Sequence, residues 1–207
     1  GSVAVDGLTS RAADTPEYTE QQLRSEAGLL PDVPVIGHGE VISRIWNQPS
    51  ITVTGIDAPS VRDASNTLVP SARVRISARV APGQDASEAH AALMAHLEKH
   101  NTFGARLEVD GLDLGQPFLV DTSGWAVADA KAVLEEAFGE PTVEMGVGGS
   151  IPFIAELAER FPNAQILVTG VEDPDSRAHS PNESLHLPSF QRAILAEALL
   201  FARLAAR

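Results

Sequence analysis

Apolar residues recur at every second position in two stretches of this chain and at every third or fourth elsewhere, and that contrast predicts the elements. Residues 72–80 read ARVRISARV, with Val74, Ile76, Ala78 and Val80 in one row and Arg73, Arg75, Ser77 and Arg79 in the other. Such alternation predicts a half-buried strand of an antiparallel sheet with a polar outer face. Residues 50–56 (SITVTGI) alternate less strictly but are rich in β-branched residues, which also predicts a strand. Asp85 and Glu88 form a capping-box pattern for a helix to about His100, with Ala89, Leu93 and Leu97 as its buried stripe. Short apolar runs at 105–110 and 117–121 add two strands, so residues 50–121 read as an open-faced α+β sandwich.

The flanking regions differ. Residues 1–8 suit a short strand or a loop. Thr15 reads as an N-cap with Pro16 in the first helical position, opening a surface helix that Pro31 and Pro34 break. Residues 40–46 allow a further turn or two of helix before Pro49. From Ser123 the period changes. A helix runs from near Trp125 to Gly139, with Pro141 beyond it, and is followed by strand 142–145, helix 151–160, strand 164–169 and a last helix 189–207. Helices alternating with short apolar strands predict an α/β layer with a largely parallel sheet. The expected class is α/β overall, in two domains, 1–122 and 123–207.

Composition narrows the functions. A formal charge of −13 argues against nucleic acid or an anionic membrane as partner. No apolar run approaches the ~20 residues that span a bilayer, and no secretion signal opens the chain. With no cysteine, the chain has no disulfide, no thiolate metal site and no cysteine nucleophile. Any metal must be held by His, Asp and Glu, which suits zinc, manganese or cobalt at a hydrolytic centre. The expected compartment is the cytoplasm.

Two places stand out as candidate chemistry. Residues 146–150 (GVGGS) lie between a predicted strand and a helix whose first turn holds Pro152. Gly149 lets a ligand approach the backbone, and Ser150 can cap a helix end whose free N–H groups favour a carboxylate or phosphate. A tight turn with nothing bound satisfies the same spacing. The absence of a Walker lysine and of G-x-G-x-x-G argues against a nucleotide. His179 sits in a polar loop, 173–184, between the last strand and last helix, where active sites of α/β sheets are built. A neutral imidazole there is a good zinc ligand, although a lone loop histidine is more often ordinary surface. His96 and His100 fall off the apolar stripe of their helix and read as solvated, while His38, His90 and His186 carry no constellation. Ser150 with His179 lacks the G-x-S-x-G elbow of a serine hydrolase.

Three blocks, in order, resemble the M20 metallodipeptidases of the carnosinase type. Residues 66–70 (NTLVP) and 76–85 (ISARVAPGQD) are similar to the family's lid, or dimerisation, domain. Residues 145–152 (MGVGGSIP) are similar to its G-G-S-I-P turn, and 178–183 (AHSPNE) to its last metal-binding loop. The resemblance implies that His179 binds one of two divalent ions, most simply zinc, with manganese or cobalt as alternatives. It implies that Gly149 and Ser150 hold a peptide substrate at the helix start, and that Arg79 contacts its carboxylate through a guanidinium fork. Thr67 would lie in the lid and reach the active site of the other subunit of a homodimer.

The chain departs from the family pattern as well. The family's H-x-D ligand pair, its bridging aspartate and its Glu-Glu pair belong upstream of the lid, and no H-x-D occurs here. Glu135-Glu136 lies within a helix and reads as solvated surface. The resemblance therefore implies an N-terminally incomplete lid and the last part of a catalytic domain. The rest of that domain would lie on sequence outside this chain, or on a separate chain. The expected function is part of a dipeptidase acting through a two-metal activated water, with the isolated chain inactive. Two alternatives are a deacylase of the same superfamily acting on N-acyl amino acids, and a non-catalytic dimerisation or ligand-binding module.

Overall fold

A computed structural model describes residues 4–11, 15–146 and 152–207. In chain order the elements are helices α1 (Glu20–Glu26) and α2 (Val41–Trp46), strands β1 (Ser50–Asp57) and β2 (Arg73–Arg79), and helices α3 (Ala86–Lys99), α4 (Trp125–Phe138), α5 (Pro152–Arg160) and α6 (Leu187–Ala205). They fall into two compact units. The first contains 35–118 and the described residues before Pro16; the second contains 16–34, 119–146 and 153–207.

In the first unit, β1 and β2 pair antiparallel in one two-stranded sheet. Ile51 faces Ala78, Val53 faces Ile76 and Ile56 faces Val74. The spacing 51, 53, 56 breaks a strict period of two. A register shift between Val53 and Gly55 absorbs the extra residue, Thr54, and keeps Ile56 in the apolar row. The strand positions agree with the alternation, but the half-burial does not: both strands are exposed along their whole length. No second layer covers the apolar face among the described residues, so alternation alone did not secure burial.

The first unit's core is small. Val5, Val41, Ile42, Ala81, Ala86 and Ala89 are buried, together with Asn47 and Gln84. The Gln84 amide accepts from the N–H and hydroxyl of Thr9 at 3.0 and 3.2 Å and donates to the Gly7 carbonyl at 2.5 Å. A buried amide with three of its four bonds made costs little and fixes the segment it joins. Gly7 has φ +92°, which strains a side-chain-bearing residue, and a Cβ there would sit tightly, 3.1 Å from the Ala92 methyl.

In the second unit, α4 packs along α6. Ala126, Val127, Ala130 and Val133 follow the 3.6 period and are buried, as is Ala196 on α6. Arg203 pairs with Glu136 at 3.1 Å. Arg207 pairs with Asp129 at 2.8 Å and lies 4.1 Å over the Trp125 ring. Glu135 and Glu136 are exposed, the latter tied to α6.

Some expected elements are corrected. Thr15 and Pro16 do not open α1. Thr19 does, because it forms a reciprocal capping box with Gln22, and the helix ends at Glu26 where Gly28 turns left-handed. Segments 105–110, 117–121, 142–145 and 164–169 are apolar enough to be strands but carry no ladder. A strand exists only where a neighbour takes its backbone hydrogen bonds, and among the described residues none does. One of these stretches, and the residue just before another, act through a glutamine instead. Gln116 accepts from the Ala86 N–H at 3.1 Å and donates to Asp85 at 2.8 Å, and Gln165 accepts from the Ala126 N–H at 2.9 Å. Each caps a helix start from afar. Gly124, the N-cap of α4, has no side chain to do so, and a Cβ there would overlap the Gln165 amide. α6 begins at Leu187, two residues earlier than its sequence suggests, with Pro188 in the first turn.

Candidate functional site: the 173–186 loop

The loop before α6 is built by its own side chains. Ser176 is 2% exposed; its hydroxyl accepts from the Asp173 N–H at 2.9 Å and donates to the Asp173 carboxylate at 3.1 Å. The Asp175 N–H donates to the same carboxylate at 2.9 Å, an Asx turn. Across the base, the Ser184 N–H donates to the Ser176 carbonyl at 3.0 Å, closing residues 176–184 into a compact loop. Its tip is two successive turns. The Ser180 N–H donates to the Arg177 carbonyl at 3.0 Å, and the Glu183 N–H to the Ser180 carbonyl at 3.2 Å. Pro181 followed by Asn182 at φ +63° is the type II pattern, and His179 at φ +63° occupies the equivalent corner of the first turn.

His179 is exposed at that corner, and its backbone N–H donates to the Glu183 carboxylate at 3.1 Å. Arg177 is also left-handed, at φ +56°. Each such non-glycine residue costs on the order of 1 kcal/mol or more, so a six-residue stretch holding three is strained unless its hydrogen bonds hold it. His186, which the sequence leaves without a role, sits at the N-cap of α6; its Nδ1 lies 2.8 Å from the Ser189 hydroxyl and 3.8 Å from Asp173. Its place just ahead of the α6 period was the available signal.

The other candidates lie elsewhere. Arg79 ends β2 opposite Ser50, on the arginine-bearing face, exposed and without an ion-pair partner among the described residues. Thr67 is exposed in the 64–72 loop, its N–H donating to the Ser65 hydroxyl at 3.2 Å. Both belong to the first unit, and no hydrogen bond joins them among the described residues. Gly149 and Ser150 lie outside the described residues. His96 is half-buried, its ring tilted 39° to that of His100 with centroids 4.2 Å apart, beside a shallow cavity lined by Asp6, Ala92, Ala95 and Lys99. The donor chemistry at His179 fits a borderline divalent ion, but it supplies one ligand and not a set. Among the described residues no three imidazoles and carboxylates gather as a metal site.

Residues 6–104 match the peptidase dimerisation domain of the M20 type. That stretch is similar to the domain through which such peptidases pair. It is 30% identical over 202 residues, 96% of its length, to the cysteinylglycine-S-conjugate dipeptidase of Corynebacterium striatum, of which it spans 44%. Its fold matches human carnosine dipeptidase 1 with a TM-score of 0.73 at 19% identity, covering 93% of this chain and 41% of that one. It matches an M20 family metallo-carboxypeptidase of Sulfolobus solfataricus at 0.72 and 19%, covering 89% and 42%. The mixed α/β class is therefore that of M20 peptidases, and the chain spans less than half the length of each of these proteins.

Proposed function

We propose that this chain is part of a metal-dependent dipeptidase. Residues 1–122 act as its lid and dimerisation domain, and 123–207 as the last part of its catalytic domain. The observation that carries the reading is the match to a dipeptidase over nearly the whole chain while spanning under half of that relative. A physical observation supports it. The chain exposes 15815 Å². A compact protein of 21.9 kDa exposes about 9,300 Å², and two separate compact bodies of half that mass together about 11,200 Å². Leu187, Phe190, Ile194 and Phe201 of α6 and both faces of the hairpin are part of that surplus. A homodimer through the M20 domain and the remainder of the catalytic domain are the proposed covers.

In this reading His179 is one ligand of a divalent ion, zinc by preference, and the remaining ligands come from sequence beyond this chain. A bound divalent ion supplies Lewis acidity and a water of lowered pKa. This chain's own residues do the holding. Arg79 offers a two-pronged donor to a peptide carboxylate, Gly149 and Ser150 hold the substrate's terminal carboxylate or its scissile region, and Thr67 reaches across the dimer.

The test joins this chain to its upstream coding sequence and assays a dipeptide with added divalent ion. The joined protein is expected to hydrolyse it and the 207-residue chain not to. His179→Ala is expected to lower kcat by more than about 100-fold, beyond the 10–100-fold typical of groups that merely support a ligand. Hydrolysis by the 207-residue chain alone, or full activity of the His179→Ala protein, contradicts the reading.

A further inference from the structure

We infer that Glu183 is a positioning residue: its carboxylate locks the backbone of His179 and thereby aims the imidazole. The inference rests on the proposed role of His179 as a ligand. The His179 N–H takes no part in the turn that closes on Ser180; its partner among the described residues is Glu183, at 3.1 Å. An ionised acceptor makes this the stronger kind of hydrogen bond. It fixes the peptide plane between Ala178 and His179, and with it the φ of +63° that sets the direction of the His179 Cα–Cβ bond. Left-handed φ is a minority conformation for a side-chain-bearing residue, so an untied corner relaxes to negative φ and swings the ring away. The Pro181-Asn182 turn returns the chain so that residue 183 meets residue 179, and the buried Ser176 base holds both arms. Neither Pro181 nor Asn182 needs to touch a ligand for the loop to depend on them.

The test compares Glu183→Gln, which keeps an acceptor oxygen, with Glu183→Ala, which does not, in the full-length protein. Hydrogen exchange of the His179 amide is expected to accelerate about tenfold in the alanine variant and to change less than about threefold in the glutamine variant. Zinc affinity, read by competition with a chromophoric chelator, is expected to fall about 10–100-fold in the alanine variant and to be largely retained in the glutamine variant, with the melting temperature unchanged in both. Equal zinc loss in both variants means that the carboxylate acts through its charge or as a ligand, and overturns the inference. Unchanged His179 exchange in Glu183→Ala overturns it as well. His179→Ala serves as the control. If it leaves zinc affinity untouched, the metal-ligand reading of His179 is what fails, and the exchange measurement still decides whether Glu183 holds the corner.

Discussion

On α4, Ala126, Val127, Ala130 and Val133 are all at most 7% exposed, whereas on the β1–β2 hairpin Ile51, Val53, Ile56, Val74 and Ile76 are 36–67% exposed. Both sets follow the period of their element, so pattern is not what separates them. A helix satisfies its backbone internally and asks its surroundings only for a partner along one stripe, which α6 provides. A sheet asks for neighbours at both edges and for a layer over its apolar face. This chain provides one neighbour per strand and, among the described residues, no layer. The buried stripe of α4 finds its partner within the chain, whereas the apolar row of the hairpin finds none among the described residues.

The largest expected effect contrasts the two directly. Val133 is 1% exposed, so Val133→Asp buries an unpaired charge against α6 and is expected to cost on the order of 3–5 kcal/mol. The same change at Ile76, 36% exposed, is expected to cost roughly 0.5 kcal/mol in the 207-residue chain. Urea unfolding measures both. In the full-length protein, where the hairpin face is proposed to be covered, Ile76→Asp is expected to cost about 2 kcal/mol or more. Equal, small costs at Ile76 in both contexts would show that nothing covers the sheet.

The same contrast explains which parts were legible. The helices from α2 onward were readable to within two residues, because caps and period are local signals. The hairpin strands were readable from alternation, but their burial was not, since burial depends on atoms elsewhere. Segments 142–145 and 164–169 have strand composition and no ladder, so their apolar runs register a need that this chain does not meet. At the site, His179 stood out by residue type, while Glu183 did not, because its role comes from two turns that bring residue 183 back to residue 179. The glutamine caps were illegible for a related reason: Gln116 lies 30 residues from the N–H it serves and Gln165 lies 39.

The α4 cap gives the next effect down. Gly124→Ala forces the added methyl into the Gln165 amide, and Gln165→Ala removes the acceptor for the Ala126 N–H. Each is expected to cost about 1 kcal/mol, the usual worth of an N-cap. Because both act on one bond, the double variant is expected to cost clearly less than the sum. Full additivity would show that Gly124 is needed for its backbone alone. At the other end of the pair, Arg207→Ala removes both the Trp125 contact and the Asp129 pairing and is expected to cost roughly 0.5–1 kcal/mol. Arg203→Ala, an exposed pair, is expected to cost less than about 0.5 kcal/mol. Thermal melts that rank Arg203 above Arg207 would point to a different seam between α4 and α6.

The smallest effect lies at the start of α3. The Asp85 carboxyl is held down to about 2 from its ordinary 3.8, first by the Ser87 hydroxyl, then by the Glu88 N–H, the Gln116 amide and the Ser87 N–H. A carboxyl lowered on folding contributes its stabilisation in full above its unfolded value and loses it as pH falls through its folded one. The first turn of α3 is therefore expected to be well ordered above pH 4 and to fray between pH 4 and 2. Hydrogen exchange at the Ser87 and Glu88 amides is the readout, because both donate to this carboxylate. Asp85→Asn keeps an acceptor oxygen but has nothing to titrate in that window, so its amide protection is expected to stay flat there. Asp85 is fully solvated, and salt is expected to weaken the effect little, since hydrogen bonds and not distant charges lower its pKa. A first turn that frays equally in wild type and Asp85→Asn would assign the acid sensitivity to another group of the first unit. α3 would then owe its start to the distant Gln116 amide alone, as α4 owes its start to Gln165.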